Sequence, residues 1–201
     1  MPDLLADATV GAVILAGGLA RRMGGVDKGL VMLAGKPMVQ RTLETLRPSV
    51  ESIIINANRN TADYETFGVP VVADKHAGYL GPLAGLSAAI SALKTDYVFM
   101  CPCDSPFLQI ALFDALVSGC IDNNADLAVP YDGERLQPVF CVVHRSVQSS
   151  LQRFLESGER KIDRWFSSHN VQQIPAATFS ESFRNINTEE ERLLAEQTIK
   201  A

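Results

Sequence analysis

The chain has 201 residues, 47% hydrophobic and 20% charged, and a net charge of −5. This composition suits a globular protein with one sizeable core. The acidic balance argues against nonspecific binding to nucleic acid or an anionic membrane, and no apolar run approaches the roughly 18–20 residues that span a bilayer.

In chain order, the apolar run at 12–16 reads as a buried strand, and Pro37 opens a helix with Val39, Leu43 and Leu46 on one face. Strands are expected at 53–55 and 71–73. Gly81-Pro82 starts a helix carrying Leu83, Leu86, Ile90 and Leu93. A strand at 97–101 and a helix over 106–118 follow, the latter with Leu108, Leu112 and Leu116 in register. The second half is less regular, with strands at 127–129 and 139–143 and helices at 146–156 and 161–166. Thr188-Glu189-Glu190-Glu191 is a capping box that opens a terminal helix. Continuously apolar strands separated by helices indicate a mostly parallel sheet covered on both sides, a Rossmann-like α/β/α arrangement. One domain is expected for this length, the part after Asp104 forming a smaller lobe on the sheet.

The segment from Leu15 to Lys28 carries most of the functional information. It places Gly17, Gly18, Gly24 and Gly25 among Arg21, Arg22 and Lys28, with a local net charge of +2 in an acidic chain. Glycine lets backbone N–H groups approach a ligand, and arginine and lysine supply the cations that phosphate needs. Such a loop after a strand is suited to a polyphosphate. It is neither a P-loop, since no Ser or Thr follows Lys28, nor a Gly-x-Gly-x-x-Gly dinucleotide turn.

Parallel α/β sheets bind ligands outside the carboxyl ends of their strands. Those ends here carry the glycine-basic loop, Asn56 and Asn58, Asp74, and Asp104. Asp104 is either a Mg²⁺ ligand or the cap of the helix that follows. Asp74 either caps a turn, binds the ribose or base, or assists a metal. Asn56 and Asn58 either bond a ligand or belong to turn chemistry. Gly81 and Pro82 open a helix whose N-terminus attracts anions. His76, His144 and His169 are scattered and form no evident triad, and Cys101, Cys103, Cys120 and Cys141 read as buried thiols rather than metal ligands. The first residues, Met1-Pro2-Asp3-Leu4, lack the basic start of a secretory signal, so a cytoplasmic location is expected.

The run from Leu15 to Gly29 closely resembles the first motif of the molybdenum cofactor guanylyltransferases, which have the nucleotide-diphospho-sugar transferase fold. Further matches are Gly35-Lys36-Pro37, Asn56-Ala57-Asn58-Arg59, Gly81-Pro82-Leu83-Ala84-Gly85, the run from Cys101 to Pro106, Asp132-Gly133-Glu134-Arg135, Gly158-Glu159-Arg160 and Asn185-Ile186-Asn187-Thr188. They span nearly the whole chain. The resemblance implies a single nucleotidyltransferase domain over 1–201, with a nucleotide-binding half at 10–105 and an acceptor-binding half at 106–201. It implies transfer of GMP from Mg-GTP to the terminal phosphate of molybdenum-loaded molybdopterin, giving the guanine dinucleotide cofactor and pyrophosphate. Carried over by position, Leu15, Ala16, Gly17, Gly18, Arg21, Gly25, Lys28, Asn56, Asp74, Gly81, Pro82 and Asp104 bind nucleotide, and Asp104 also holds Mg²⁺. Lys28, Arg22 and Asp104 serve catalysis. Arg135, Gln137, Pro138, Arg160, Asn185 and Asn187 bind the acceptor. Delivery of the cofactor would involve transient contact with molybdoenzymes or other cofactor-biosynthesis proteins. The alternatives are cytidylyl transfer to the same cofactor, nucleotidyl transfer to a sugar phosphate, and a non-catalytic carrier of nucleotide or cofactor.

Overall fold

The computed structural model describes residues 8–17, 19–20, 26–75 and 81–200. Seven strands form one sheet: β1 (Val10–Leu15), β2 (Ser52–Asn56), β3 (Val71–Val72), β4 (Tyr97–Pro102), β5 (Leu127–Tyr131), β6 (Cys141–His144) and β7 (Val171–Pro175). Their order is β7-β5-β6-β4-β1-β2-β3. Neighbours are parallel except that β6 runs antiparallel to both β4 and β5.

The two-residue period of a strand explains why both faces are covered. Ala12, Ile14, Phe99 and Cys101 point into one core. Val13, Val98 and Met100 point into the other. Helix α1 (Met38–Leu46) brings Val39, Leu43 and Leu46 to the first core, joined by Leu112 and Leu116 of α4 (Ile110–Asp122). Helix α3 (Pro82–Ala92) brings Leu83, Leu86 and Ile90 to the second, beside Leu151 and Leu155 of α5 (Gln148–Glu156). The short helices α2 (Thr61–Glu65) and α6 (Ile162–Phe166) lie between these elements in sequence. The last helix, α7 (Glu189–Lys200), covers Leu33, Met38 and Ile186 with Ala195. Its capping box forms: Thr188 Oγ1 accepts from the Glu191 amide at 3.2 Å, and Glu191 Oε2 accepts from the Thr188 amide at 3.0 Å.

Several expected boundaries shift, three of them for a plain local reason. The helix expected over 106–118 begins only at Ile110, because the Leu108 amide closes a turn on the Ser105 carbonyl and the Gln109 amide donates to Ser182 Oγ. The strand expected at 139–143 begins at Cys141, since the Phe140 amide closes a turn on the Gln137 carbonyl. Pro37 stands at the N-cap of α1, as the last residue of a small ladder pairing Met32–Leu33 with Lys36–Pro37. Among the described residues no helix is long and apolar enough to cross a membrane.

From β1 the chain steps outward through β2 to β3, then returns to place β4 on the other side of β1. The order therefore reverses between β1 and β4. The ends of diverging connections leave a crevice there, at the carboxyl edge of the sheet.

Candidate active site

The crevice encloses about 340 Å³ and is lined by Leu15, Gly17, Lys28, Asn56, Asp74, Gly81, Pro82, Pro102, Cys103 and Asp104. This volume lies in the usual range for a small-molecule site. Eight of these residues are expected from sequence as nucleotide ligands; Pro102 and Cys103 are additions, placed by the continuation of β4 toward Asp104.

At the reversal point, two strand ends meet through their charges. Lys28 Nζ lies 2.7 Å from Asp104 Oδ2, with side-chain exposures of 17% and 12%. Lys28 Nζ also donates to Asn187 Oδ1. Asp104 is not a helix cap, since α4 begins six residues later with Gln109 at its N-cap. A second segment is stitched to the Asp104 turn: the Ile186 amide donates to the Asp104 carbonyl at 2.9 Å, and Ser105 Oγ donates to Asn185 Oδ1 at 2.6 Å. Asn187 in turn has its amide fixed on Glu191 Oε2 at 2.6 Å. The capping box thus anchors the asparagine that touches Lys28. These amide bonds hold the Glu191 carboxyl below the ordinary carboxylate range.

On the other wall, Asp74 is held by two asparagines. Its Oδ1 accepts from Asn56 Nδ2 at 3.0 Å and its Oδ2 from Asn58 Nδ2 at 2.8 Å, while its amide donates to Asn58 Oδ1 at 2.8 Å. Asn56 is buried and also donates to the Val72 carbonyl at 3.1 Å. It fits only because Gly85 has no side chain: a Cβ there would overlap Asn56 Oδ1 and sit 2.6 Å from Leu15 Cδ2. Gly81 has φ 76°, the left-handed region that glycine tolerates, and Pro82 follows it at the start of α3. The Ala84 amide donates to the Gly81 carbonyl at 3.2 Å, closing the first turn at the crevice end of the helix.

The Leu15 carbonyl accepts from the Cys103 amide at 3.0 Å and the Ala16 amide donates to the Asn56 carbonyl at 2.8 Å. Ala16 is fully buried and does not line the crevice, so Gly17, with open space around its Cα, is the better-placed backbone contact of the three. Gly18, Arg21, Arg22 and Gly25 lie outside the described residues. Backbone pairing of Leu19–Ala20 with Val26–Asp27 brings the two stems flanking 21–25 together.

Among the residues expected on the acceptor side, Asn185 and Asn187 join the Asp104 turn, as described. Gln137 Nε2 donates to Asp132 Oδ2 at 2.6 Å, and Asp132 Oδ1 takes the amides of Glu134 and Arg135 at 2.8 Å each. Those bonds pull the Asp132 carboxyl down to about 2. They order the loop after β5, leaving the Arg135 side chain exposed and Pro138 half-buried. Arg160 Nη1 bonds the Leu155 carbonyl at 2.7 Å and the Glu159 carbonyl at 2.5 Å, closing the end of α5. Neither Arg135 nor Arg160 lines the crevice. One histidine does meet a serine, His169 Nε2 lying 2.6 Å from Ser150 Oγ, but Trp165 Nε1 also bonds that hydroxyl and neither residue lines the crevice. The four cysteines are buried and unpaired, and burial pushes their thiols up.

A sheet with this reversal point, a glycine-basic loop after the first strand and a lysine–carboxylate pair across it belongs to an enzyme that handles nucleoside triphosphates: the chain is a nucleotidyltransferase. Residues 12–174 match the family model for the MobA-like NTP transferase domain, and the chain belongs to that family. It is 48% identical over 189 residues to a molybdenum cofactor guanylyltransferase of Shewanella sp. strain MR-4, covering 93% of this chain and 96% of that one. The molybdopterin-guanine dinucleotide biosynthesis protein A of Archaeoglobus fulgidus superposes with a TM-score of 0.79 at 26% identity, over 94% of this chain and 98% of that one. A 4-diphosphocytidyl-2C-methyl-D-erythritol synthase from Anaerococcus prevotii superposes with a TM-score of 0.78 at 12% identity, over 100% of both chains, a likeness of fold alone.

Nucleotidyltransferases of this kind generally use a divalent metal. Among the described residues no group of three or more His, Cys, Asp or Glu forms a cage. Two carboxylates line the crevice, Asp74 held by two asparagines and Asp104 paired with Lys28; Mg²⁺ takes one or two carboxylates and completes its shell with phosphate oxygens and water. Asp104 fits that role.

Proposed function

We propose that this chain transfers GMP from Mg-GTP to the terminal phosphate of molybdenum-loaded molybdopterin in the cytoplasm, releasing pyrophosphate. The observation that carries the reading is the Lys28–Asp104 pair facing across the reversal point, in a chain nearly half identical to a full-length guanylyltransferase.

The attacking group is a phosphate monoester, whose second pKa near ~6 leaves it largely dianionic at neutral pH. No general base or side-chain nucleophile is needed. A phosphate oxygen of the pterin forms the new bond to the α-phosphorus of GTP. The bond from that phosphorus to the α–β bridging oxygen breaks, and pyrophosphate departs with the electron pair. The barrier is the approach of two anions in line, so catalysis is positioning and charge compensation. Lys28, paired with Asp104, turns its ammonium to the phosphates and stabilises charge building on the leaving pyrophosphate, aided by Arg21 or Arg22. Asp104 would hold Mg²⁺, which when bound would supply positive charge to offset that of the phosphates. Gly17, Gly81 and Pro82 bring backbone close to the nucleotide, while Asn56 and Asp74 hold its nucleoside part. Asn185, Asn187, Gln137 and Pro138, with Arg135 and Arg160, form the acceptor side. Delivery of the product calls for transient contact with molybdoenzymes.

The test is pyrophosphate release with Mg²⁺ and molybdenum-loaded pterin, comparing GTP, CTP, UTP and ATP. Strong preference for GTP is expected. Preference for CTP would overturn the base assignment, and binding without release would favour a carrier.

A further inference from the structure

Lys28 is flanked by two residues whose environments have no part in the chemistry above. Asp27 is a carboxylate of 0% side-chain exposure, and it stands at the N-cap of the 3₁₀ turn Lys28–Leu30 without capping it. Its oxygens go elsewhere. Arg59 Nε lies 3.1 Å from both, Arg59 Nη2 lies 2.5 Å from Oδ1, and Asn60 Nδ2 donates to Oδ2 at 2.7 Å. A buried carboxylate held this way cannot rotate off without leaving a bare charge in the interior.

Gly29, on the other side of Lys28, is seated on Tyr64. A Cβ at Gly29 would lie 2.7 Å from the Tyr64 hydroxyl and 3.1 Å from its ring, so only glycine permits this approach. That hydroxyl donates to the Ala16 carbonyl at 3.4 Å. Tyr64 is fully buried, and burial keeps it a neutral phenol able to donate. Ala16 lies near the start of the Leu15–Lys28 segment and Gly29 just past its end.

Arg59, Asn60 and Tyr64 come from one short stretch, the turn after β2 and the helix α2. The same turn, through Asn56 and Asn58, holds Asp74 on the opposite wall.

We propose that Arg59, Asn60 and Tyr64 are positioning residues that hold Lys28 in place for the transfer. Asp27 fixes the backbone before the lysine and Gly29 the backbone after it, leaving only the lysine side chain to choose between Asp104 and phosphate. This rests on the reading of Lys28 as the phosphate lysine. Rigid support of this kind is what electrostatic catalysis requires, since misplacing a group by ~1 Å costs on the order of 10²-fold in rate.

The experiment compares Arg59→Lys, which keeps the charge but loses the two-pronged grip, with Tyr64→Phe, which removes only the hydroxyl. Pyrophosphate release gives kcat, titration calorimetry gives GTP affinity, and thermal melting verifies folding. Arg59→Lys is expected to lower kcat by about 30-fold and Tyr64→Phe by about 5-fold, each with GTP Kd within about threefold of the parent. In single turnovers with enzyme in excess, Arg59→Lys added to Lys28→Ala is expected to cost less than about twofold more, because the residue it positions is already gone. Wild-type kcat in both single variants would overturn the proposal, as would a full additive loss in the double variant. An unimpaired Lys28→Ala would instead remove the phosphate-lysine reading on which it stands, and the two failures are read from different variants.

Discussion

Gly85→Ala is a sharp perturbation because its consequence is set by the close packing of Asn56 and Leu15 on that glycine. The added methyl would overlap Asn56 Oδ1 and lie 2.8 Å from Asn56 Cγ and 2.6 Å from Leu15 Cδ2. Ordinary carbon contacts need roughly 3.5 Å or more, so the Asn56 amide must move by about 1 Å. Such a shift breaks its bonds to the Val72 carbonyl and to Asp74, now 3.1 and 3.0 Å. Two hydrogen bonds at roughly 1 kcal/mol each, with an overpacking strain of about 1–3 kcal/mol partly relieved by the movement, give a loss of about 2–4 kcal/mol. For a chain of this size the melting temperature should fall by about 5–15 °C. Freed from Asn56, Asp74 retains Asn58 alone, and KM for GTP should rise by about 10- to 100-fold while kcat at saturation stays within about threefold, because Lys28 and Asp104 lie on the other wall. Differential scanning calorimetry and initial rates of pyrophosphate release read both effects. An unchanged melting temperature would refute the packing argument, and a loss confined to kcat would refute the assignment of Asn56 and Asp74 to nucleotide binding.

Lys28→Ala and Asp104→Ala should each lower kcat by at least about 10²- to 10³-fold with the far-ultraviolet circular dichroism of the parent; near-normal turnover in either would remove that residue from the mechanism. Stripping divalent cations with a chelator should stop pyrophosphate release, and adding Mg²⁺ should restore it; full activity in chelator would refute the metal's role. Glu191→Gln tests the capping box by pH. The folded Glu191 carboxyl binds a proton less readily than the unfolded one, so acidification favours the unfolded chain. The stability it contributes is present above the ordinary carboxylate range and is lost as pH falls through the lower folded value. Near pH 7 the variant should therefore melt about 2–4 °C below the parent, consistent with roughly 1 kcal/mol for a helix cap, and the gap should close in acid. A gap independent of pH would contradict this.

The elements that build the sheet were legible because their patterns are strong: Ile53, Ile54 and Ile55 are continuously apolar, and Leu83, Leu86 and Ile90 keep helical spacing. β7 escaped because it is an edge strand of mixed character, Val171-Gln172-Gln173-Ile174-Pro175, with no fully buried residue. Helix α2 has five residues, too few for a periodicity to register. The candidate site divides in the same way. Strand ends are local features, so Lys28, Asn56, Asp74 and Asp104 could be read as converging once a parallel sheet was expected. Which of them touch was not readable, since Lys28 meets Asp104 across 76 positions and Asn187 across 159. Asp27 carries no sequence signal of its role, which only its burial and the distance to Arg59 reveal. Arg160 stands in a glycine-bearing motif, and its bonds to the Leu155 and Glu159 carbonyls are likewise not readable from sequence.

The central claim is direct transfer of GMP to the pterin phosphate with no covalent enzyme intermediate. It is tested by following the label from GTP carrying ³²P at the α position, with Mg²⁺ and molybdenum-loaded molybdopterin. Label is expected in a pterin–guanine dinucleotide, in equal amount to the pyrophosphate released, with none on the protein. Label retained on the protein, or pyrophosphate formed without the dinucleotide, would contradict it.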